Sequence, residues 1–159
     1  MDKLLELLNE NARYTNEQLS AMLGEPKEDI EKRIKKYEKQ GVIKGYKTII
    51  NWEMTDFERL TAIIELKVSP KKNIGFEEIA ETVMRFDEVE SVYLMSGGYD
   101  LLVMVTGKSF QEIAMFVAKR LAPLDSVLST ATHFLLSRYK QDGVILHGEP
   151  VDERRNILL

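Results

Sequence analysis

An internal repeat in the second half of the chain constrains the fold more than any other feature. Residues 76–83 (FEEIAETV) are echoed by residues 110–117 (FQEIAMFV), and the segments that follow, VESV from Val89 and LDSV from Leu124, are also alike. Each copy reads strand, helix, strand, which predicts a ferredoxin-like βαββαβ plait. Right-handed crossovers place both helices on one face of an antiparallel sheet and leave the other face bare. Because an exposed apolar face of that size marks an interface, we expect a second copy to cover it.

Spacing also predicts the individual elements of this plait. Residues 61–68 alternate in their second half and form the expected first strand, and residues 127–136 form the expected last one. Ser109 and Glu112 form a predicted capping box at the start of the second helix. The residues of this helix that are expected to face the core are Phe110, Ile113, Ala114, Val117 and Leu121.

A double glycine joins the two middle strands. Residues 97–98 separate the apolar runs 92–95 and 101–105, which predicts a hairpin whose second strand is buried on both faces. The Tyr99-Asp100 pair adds a hydroxyl and a carboxylate to the backbone N–H groups of the turn, so the turn suits a small polar ligand. Alternatively, Asp100 stabilises its own turn and Tyr99 covers the hairpin, and spacing by itself favours this second interpretation.

Two short helices are predicted at the N-terminus. Leucine spacing indicates the first over residues 2–9. Thr15 and Gln18 form a capping box that opens the second, and Gly24 occupies the left-handed position after its last turn. The residues of the second helix that are expected to face inward are Leu19, Met22 and Leu23.

A third, basic helix is predicted over residues 26–40. Pro26 suits its first turn, Gly41 and Val42 suit a Schellman stop, and residues 42–50 alternate and turn like a two-stranded wing. Two helices joined by a glycine turn, the second one basic, make a helix-turn-helix whose second helix fits the DNA major groove. The apolar residues on the expected buried face of this helix are Ile30, Ile34 and Tyr37.

Charge is unevenly distributed along a chain whose net charge is −4. Residues 27–47 hold eight basic and four acidic side chains, whereas residues 51–159 hold 12 basic and 17 acidic ones. A basic segment in an acidic chain indicates a local contact with a polyanion. Charge alone favours the alternative, a solvated helix face with i,i+4 ion pairs such as Glu31–Lys35.

A set of residues between positions 19 and 46 carries a family pattern: Leu19, Gly24, Ile30, Arg33, Ile34, Glu38, Gly41, Val42, Ile43, Gly45 and Tyr46. This stretch resembles the DNA-binding domain of the Lrp/AsnC family of feast/famine transcriptional regulators. With the turn at residues 97–100, the resemblance covers nearly the whole chain. The sequence departs from the pattern at the third helix in two ways. A Glu25-Pro26 pair replaces the usual capping serine, and acidic residues occupy positions 28, 29 and 31, near the helix start that contacts DNA bases in this family.

The resemblance implies an α+β protein made of a winged helix-turn-helix DNA-binding domain (1–52), a linker (53–60), a βαββαβ effector-binding and oligomerisation domain (61–140) and a C-terminal tail (141–159). It also implies a sequence-specific DNA-binding transcriptional regulator that responds to a small effector such as an amino acid. Its partners are then double-stranded DNA, the effector, and further copies, as a homodimer that assembles into higher even oligomers. Within the tail, residues 144–146 are an expected strand, and residues 154–159 are expected to pack on a neighbour or to be disordered.

The candidate DNA contacts lie on or just after the third helix. Arg and Lys side chains there reach phosphates and guanine edges, and a carboxylate can accept from a cytosine amino group. For Arg33, an alternative is a structural role in which it holds helices together. The candidate contacts are Lys27, Glu28, Lys32, Arg33, Lys36 and Lys44.

The candidate effector site lies at the glycine turn. Backbone N–H groups of Gly98 and Tyr99 can receive a carboxylate, as anion-binding nests do, and Asp100 can receive an ammonium group. An amino acid carries both charges, and the resemblance adds that the effector sits where such turns meet between dimers. The candidate residues are Gly97, Gly98, Tyr99, Asp100, Thr130 and Thr132.

No residue pattern indicates catalysis. The sequence has no cysteine, its two histidines, His133 and His147, stand far apart, and it contains no P-loop, dinucleotide, zinc or Ser/His/Asp motif. We therefore predict no catalytic residue, metal or cofactor. Two alternatives stay open: a sirohaem-decarboxylase-like enzyme of the same architecture, and a sensor that has lost DNA binding. The sequence shows no signal peptide and no apolar run of the roughly 20 residues that span a bilayer, so we expect a cytoplasmic protein without a membrane partner.

Overall fold

The structure, a computed structural model, describes residues 2–69 and 75–148. Contacts divide the chain into two compact units, Met1–Thr48 and Ile49–Leu159. Within the described ranges, no helix combines the length and the apolarity that crossing a membrane requires. The elements are α1 (Lys3–Glu10), α2 (Asn16–Leu23), α3 (Lys27–Lys39), a 3-10 turn (Trp52–Met54), β1 (Leu60–Val68), α4 (Glu77–Val83), β2 (Val89–Leu94), β3 (Leu101–Gly107), α5 (Phe110–Phe116) with a π turn (Val117–Leu121), β4 (Val127–Phe134), β5 (Lys140–Gln141) and β6 (Val144–Ile145).

The first unit is a three-helix cluster around three fully buried side chains. Leu4, Leu19 and Ile30 come one from each of α1, α2 and α3. Ile34 and Tyr37 of α3 pack against them, which confirms the predicted buried face of the basic helix. Each fully buried aliphatic side chain contributes about 1.5–3 kcal/mol, so these few residues hold the helices together.

The predicted helix ends are confirmed. Thr15 Oγ1 accepts from the backbone N of Gln18 at 3.2 Å, and Gln18 Oε1 accepts from the N of Thr15 at 2.9 Å, which completes the capping box. Gly24 has a φ of 68° after α2. After α3, the N of Val42 donates to the carbonyl of Tyr37 at 2.9 Å, the 6→1 bond of a Schellman stop.

Two details of this unit differ from the prediction. Met22 is 52% exposed, because α2 turns the side that carries Leu19 and Leu23 toward the cluster. Residues 42–50, expected as a two-stranded wing, form no strand in the structure. A ribbon of two short strands is marginal unless it packs on other elements, and this segment pairs with no other strand among the described residues.

The second unit is the predicted plait. Its sheet has the order β2-β3-β1-β4, and every neighbouring pair is antiparallel. One core joins this sheet to α4 and to α5 with its π turn, so both helices lie on the same face. The sheet residues of the core that are less than 1% exposed are Ala62, Ile64, Leu66, Leu101, Val103 and Val105.

The opposite face of the sheet is bare, as expected, and this overturns the prediction that β3 is buried on both faces. Leu101, Val103 and Val105 of β3 are fully buried, but Leu102 and Met104 between them are only half-buried. Side chains alternate along a strand, so the second set faces away from the helices. All five residues of the run 101–105 are apolar, so the sequence shows no alternation of apolar and polar residues that would indicate burial on one face only.

The core-facing residues of α5 also differ in part from the prediction. Ile113, Val117 and Leu121 are buried as expected, but Phe110 is 56% exposed and Ala114 is also exposed. Phe116 is buried instead. Ile113, Phe116 and Val117 lie at i, i+3 and i+4 and share one helix face, and α5 turns this face toward the sheet instead of the neighbouring face that carries Phe110 and Ala114.

The predicted capping box at α5 is only half present. Ser109 Oγ accepts from the N of Glu112 at 3.1 Å, as a capping residue should. Glu112 Oε2, however, accepts from the N of Lys108 at 2.5 Å rather than from the N of Ser109. The helix start is still satisfied, because the carboxylate covers an N–H one position earlier.

The chain after the plait forms a small hairpin. β4 ends at Phe134, two residues before the predicted end, and the predicted strand at 144–146 is present as β6, which pairs with β5. Asp142 and Gly143, with φ values of 46° and 87°, make the turn between them. Residues 154–159, expected to pack on a neighbour or to be disordered, lie outside the described residues.

Candidate DNA-binding and effector sites

The exposed side of α3 carries a row of lysines. Lys32, Lys36 and Lys39 follow one another at four and three residues, so they share one helix face. The side chain of Lys32 is 78% exposed, and its Nζ lies 3.4 Å from Asp29 Oδ1. Among the described residues, Lys36 and Lys44 have no ion-pair partner. This face therefore presents positive charge that is free for an external polyanion.

Side chains at the start of α3 are instead engaged within the unit. Lys27 forms an ion pair with Glu17 of α2, and this hydrogen bond raises the pKa of Lys27 and lowers that of Glu17. Glu28 is exposed in the first turn, where an acid is favoured by the helix dipole. Lys35 Nζ lies 2.5 Å from Glu31 Oε1, so the predicted i,i+4 pair is present on the same helix.

Arg33 is directed into the unit rather than toward solvent. Its NH2 donates to Asp2 Oδ1 at 2.7 Å, and its NH1 donates to Glu25 Oε2. Its side chain is 32% exposed and that of Asp2 is 25% exposed. Because both terminal nitrogens are occupied by carboxylates of the same unit, we assign Arg33 the alternative role of holding helices together.

Asp2 is the centre of this cluster. Its Oδ1 also caps α1 by accepting from the N of Leu4 at 2.8 Å, and its Oδ2 accepts from the hydroxyl of Tyr37. The hydrogen bonds from Tyr37 and Arg33 lower the pKa of the Asp2 carboxyl to about 2. The carboxylates of Glu25 and Asp2 raise the pKa of Arg33 above its ordinary value. One carboxylate thus fixes α3 to the beginning of α1.

The sequence did not reveal this cluster. An aspartate directly before a leucine-spaced helix is an N-cap signal, and that much of the role of Asp2 could have been predicted. Its contact with Arg33 spans 31 positions and leaves no periodic trace in the sequence. Glu25 was noted only as part of a departure from the family pattern.

Asp100 ties the glycine turn to the end of β1. Its Oδ2 accepts from the N of Val68 at 2.8 Å, and its own N donates to the carbonyl of Leu66 at 2.9 Å. The N of Met95 donates to the carbonyl of Asp100 at 2.8 Å, which closes the turn. Asp100 therefore has the stabilising role that spacing favoured, while its Oδ1 accepts no hydrogen bond from the described residues.

The remaining candidate effector residues lie at the same end of the sheet. Gly97 and Gly98 are exposed, and Gly97 has a φ of 155°. Thr130 pairs with Leu66 across β1 and β4, and Thr132 pairs with Ile64. Since Leu66 also accepts from Asp100, the turn and Thr130 flank the same residue of β1, and Thr132 lies two pairs further along the strand.

A helix-turn-helix with a basic exposed face, followed by a plait with a bare sheet face, defines a DNA-binding transcriptional regulator with a separate ligand-binding domain. Comparison with protein families agrees: the Lrp/AsnC ligand binding domain matches residues 61–145, and a winged helix-turn-helix DNA-binding family matches residues 3–44. The chain belongs to the Lrp/AsnC family.

Related proteins match over nearly their whole length. The chain is 46% identical over 153 residues to the HTH-type transcriptional regulator YugG of Bacillus subtilis, covering 96% of this chain and 92% of YugG. It is 29% identical to the leucine-responsive regulatory protein of Haemophilus influenzae, covering 91% and 86%. Among solved structures, a transcriptional regulator of Neisseria meningitidis in complex with L-methionine superimposes with a TM-score of 0.70 at 26% identity, covering 87% and 89%.

Proposed function

We propose that this regulator binds double-stranded DNA through the exposed lysine face of α3 and through Lys44. The observation that carries the proposal is that Lys36 and Lys44 lack internal partners in the described chain, while Lys27 and Arg33 are engaged within the unit. Lys27, Glu28 and Arg33 then act by positioning α3, and Lys32, Lys36 and Lys44 contact phosphates or base edges. Such a partner implies a cytoplasmic location.

We propose that the bare sheet face is covered by a second copy, and that dimers assemble into higher even oligomers. Leu102 and Met104 of β3 pair with Glu65 and Ile63 of β1, and the adjoining Tyr93 of β2 is 52% exposed. Ile63, Leu102, Met104 and Tyr93 form an apolar patch across three strands, with Glu65 at its side, and such a patch is costly to leave in water. A two-fold dimer presents two α3 helices, so its operator is roughly symmetric with half-sites about one helical turn apart, or a multiple of that.

We propose an amino acid as the effector, held at residues 97–100 with help from Thr130 and Thr132. The Neisseria regulator was solved with L-methionine, and its similarity to this chain extends over the ligand-binding domain. Asp100 Oδ1 is available for an ammonium group, and the N–H groups of Gly98 and Tyr99 make no hydrogen bond among the described residues. A binding function without catalysis is preferred over a sirohaem-decarboxylase-like enzyme, because the matching relatives are named as transcriptional regulators.

The test is an electrophoretic mobility shift on the DNA upstream of the protein's own gene, with and without each of the twenty amino acids, L-methionine among them. Binding that is specific, competed poorly by unrelated DNA and altered by the amino acid supports the proposal. Specific binding that no amino acid alters leaves the DNA-binding role standing and removes the effector. Equal binding of specific and unrelated DNA contradicts a sequence-specific regulator, and binding of neither points to the sensor that has lost DNA binding.

A further inference from the structure

A cleft of about 220 Å³ lies within the second unit, away from the glycine turn. It is formed by residues 50–53, by the start of β1, by residues 135–138 after β4, and by Leu146. Hydrogen bonds hold its walls in place: the N of Leu135 donates to the carbonyl of Thr61 at 2.9 Å, and Asn51 Nδ2 donates to the carbonyl of Leu146 at 2.8 Å. Distant parts of the chain thus build one concave surface.

Two arginines line this cleft. Arg138 donates from NH2 to Thr61 Oγ1 at 2.8 Å, and within the described ranges no carboxylate lies within ion-pair distance of its guanidinium. Arg59 stacks over Trp52, with its Cζ 4.9 Å from the ring centroid, and pairs with Glu90 through NH2. Its Nε is buried and has no hydrogen-bond partner in the described part of the chain.

An unpaired buried N–H on one residue of the cleft and an unneutralised guanidinium on another call for an acceptor that carries negative charge. Leaving such a donor unsatisfied is costly, and native proteins nearly always pair it. Leu60, Leu135 and Leu146 also line the cleft and give it an apolar part, beside the polar side chains of residues 51, 53, 61 and 137. At about 30 Å³ for each water molecule, the volume corresponds to roughly seven waters, which is enough for a short carbon chain with a small polar head.

We propose that this cleft binds a carboxylate joined to an apolar chain of about four to six carbons. The carboxylate accepts from Arg138 and from Arg59 Nε, and the chain lies against the leucines and Trp52. The carboxylate can belong to a free short-chain acid or to an amino acid. In the second case Glu53, whose Oε1 accepts from the N of Arg138 at 3.2 Å and from Ser137 Oγ at 3.3 Å, offers its other oxygen to the ammonium group.

Trp52 makes the site directly observable, because it is the single tryptophan of the chain. Its fluorescence is titrated in the full-length protein with 4-methylpentanoate, with the uncharged 4-methylpentanamide, and with L-leucine. We expect a saturable change with the acid and at least about tenfold weaker binding of the amide, since a charged hydrogen bond is lost. Tighter binding of L-leucine than of the acid identifies an amino acid, and weaker binding identifies a simple acid. Equal binding of acid and amide, or no saturable change with any of the three, overturns the proposal.

Variants separate this cleft from the glycine turn. Arg138→Gln is expected to weaken binding of 4-methylpentanoate about tenfold, whereas Arg85→Gln, whose side chain is 76% exposed on the chain just after α4, and Gly98→Val leave it unchanged. A Gly98→Val protein that no longer responds contradicts the site. If the Arg138→Gln protein is unfolded, the comparison of the acid with the amide on the wild-type protein still tests whether the protein binds the carboxylate. Neither measurement contains DNA, so failure here is distinct from failure of DNA binding.

Discussion

Arg33 in the middle of α3 donates to Asp2, which caps α1, across a distance of 2.7 Å. The proposed DNA-contacting helix is therefore held at its centre by a residue at the beginning of the chain. Glu25 holds the same guanidinium from the loop between α2 and α3. The orientation of α3 thus depends on two carboxylates that make no contact with DNA in our proposal.

Replacing Arg33 by alanine should destabilise the first unit. Hydrogen bonds to charged groups contribute about 1.5–3 kcal/mol, and we expect a loss near the lower value because a third of the side chain is exposed. Chemical denaturation measures the change, with Lys36→Ala as the control that should leave stability nearly unaltered. An Arg33→Ala protein of full stability that has lost specific DNA binding would instead establish a base contact.

Lowering the pH should destabilise the packing of α3 in the first unit before it destabilises the plait. The pKa of Asp2 is about 2 in the folded protein against an ordinary value of 3.8, so its contribution is complete above pH 3.8 and is lost as the pH falls toward 2. The pKa difference corresponds to at most about 2 kcal/mol. Hydrogen exchange of residues 27–39 between pH 5 and 2 measures it. Asp2→Asn should flatten this dependence, and Asp29→Asn, on an exposed side chain, should not; equal profiles for both would refute the assignment.

The lysine face should determine the salt dependence of DNA binding. Each phosphate contact that is removed lowers the slope of log K against log salt by about 0.9. We expect Lys36→Gln and Lys44→Gln each to reduce the slope by about that amount, measured by fluorescence anisotropy on a labelled operator. Lys119→Gln, on the exposed surface of the π turn, serves as the control. An unchanged slope in both α3-side variants would place the DNA contact elsewhere.

The charge of Asp100 should matter for the effector more than for the fold. Asp100→Asn keeps a carbonyl oxygen that can accept from the N of Val68 but removes the charge offered to an ammonium group. We expect similar thermal stability and about tenfold weaker binding of L-methionine by calorimetry. Asp125→Asn, on an exposed residue, is the matched control. If the thermal stability falls while the affinity of the folded protein for L-methionine is unchanged, Asp100 only stabilises the turn and does not bind the effector.

A charge on the bare sheet face should dissociate the proposed dimer. Leu102 is half-buried in the single chain and becomes buried in a sheet-to-sheet pair, so Leu102→Asp would place an unpaired carboxylate in an apolar interface. Analytical ultracentrifugation at micromolar concentration should show a monomer of 18.3 kDa. Met84→Asp, at a 57% exposed position beside α4, should leave the oligomer intact. A wild-type protein that is already monomeric would remove the basis of this expectation.

Local signals predicted most of the fold. The Thr15–Gln18 capping box, the glycine stops and the repeated FxEIA motif each act over a few residues, and the structure has all of them. The repeat then fixed the order of the strands, because right-handed crossovers leave few alternatives. What the sequence could not supply were contacts between distant positions, such as Arg33 with Asp2, and the cleft that residues 50–53 form with residues 135–138.

Phe116 shows a different kind of limit. Regular α-helical spacing selected Phe110 and Ala114 as core residues, but the helix turns the neighbouring face, with Ile113, Phe116 and Val117, toward the sheet, and spacing alone does not decide between two adjacent apolar faces. The candidate effector site shows the limit set by distance along the chain. The sequence placed Asp100 at the glycine turn. Its hydrogen-bond partners, Val68 and Leu66, could be identified only once β1 and β3 were known to be neighbours.

The π turn also makes the chain tolerant of one specific change in length. The N of Ala122 donates to the carbonyl of Val117, five positions back, at 2.8 Å, whereas a regular α-helix joins residues four positions apart. Deletion of the exposed Ala118 would bring Ala122 to the fourth position after Val117 and Leu121 to the fourth position after Phe116, which is the spacing of a regular α-helix. A relative that is one residue shorter here can therefore keep the same core. A one-residue gap at this point of an alignment then reflects a regular α-helix in place of the π turn, and not a deletion in a loop.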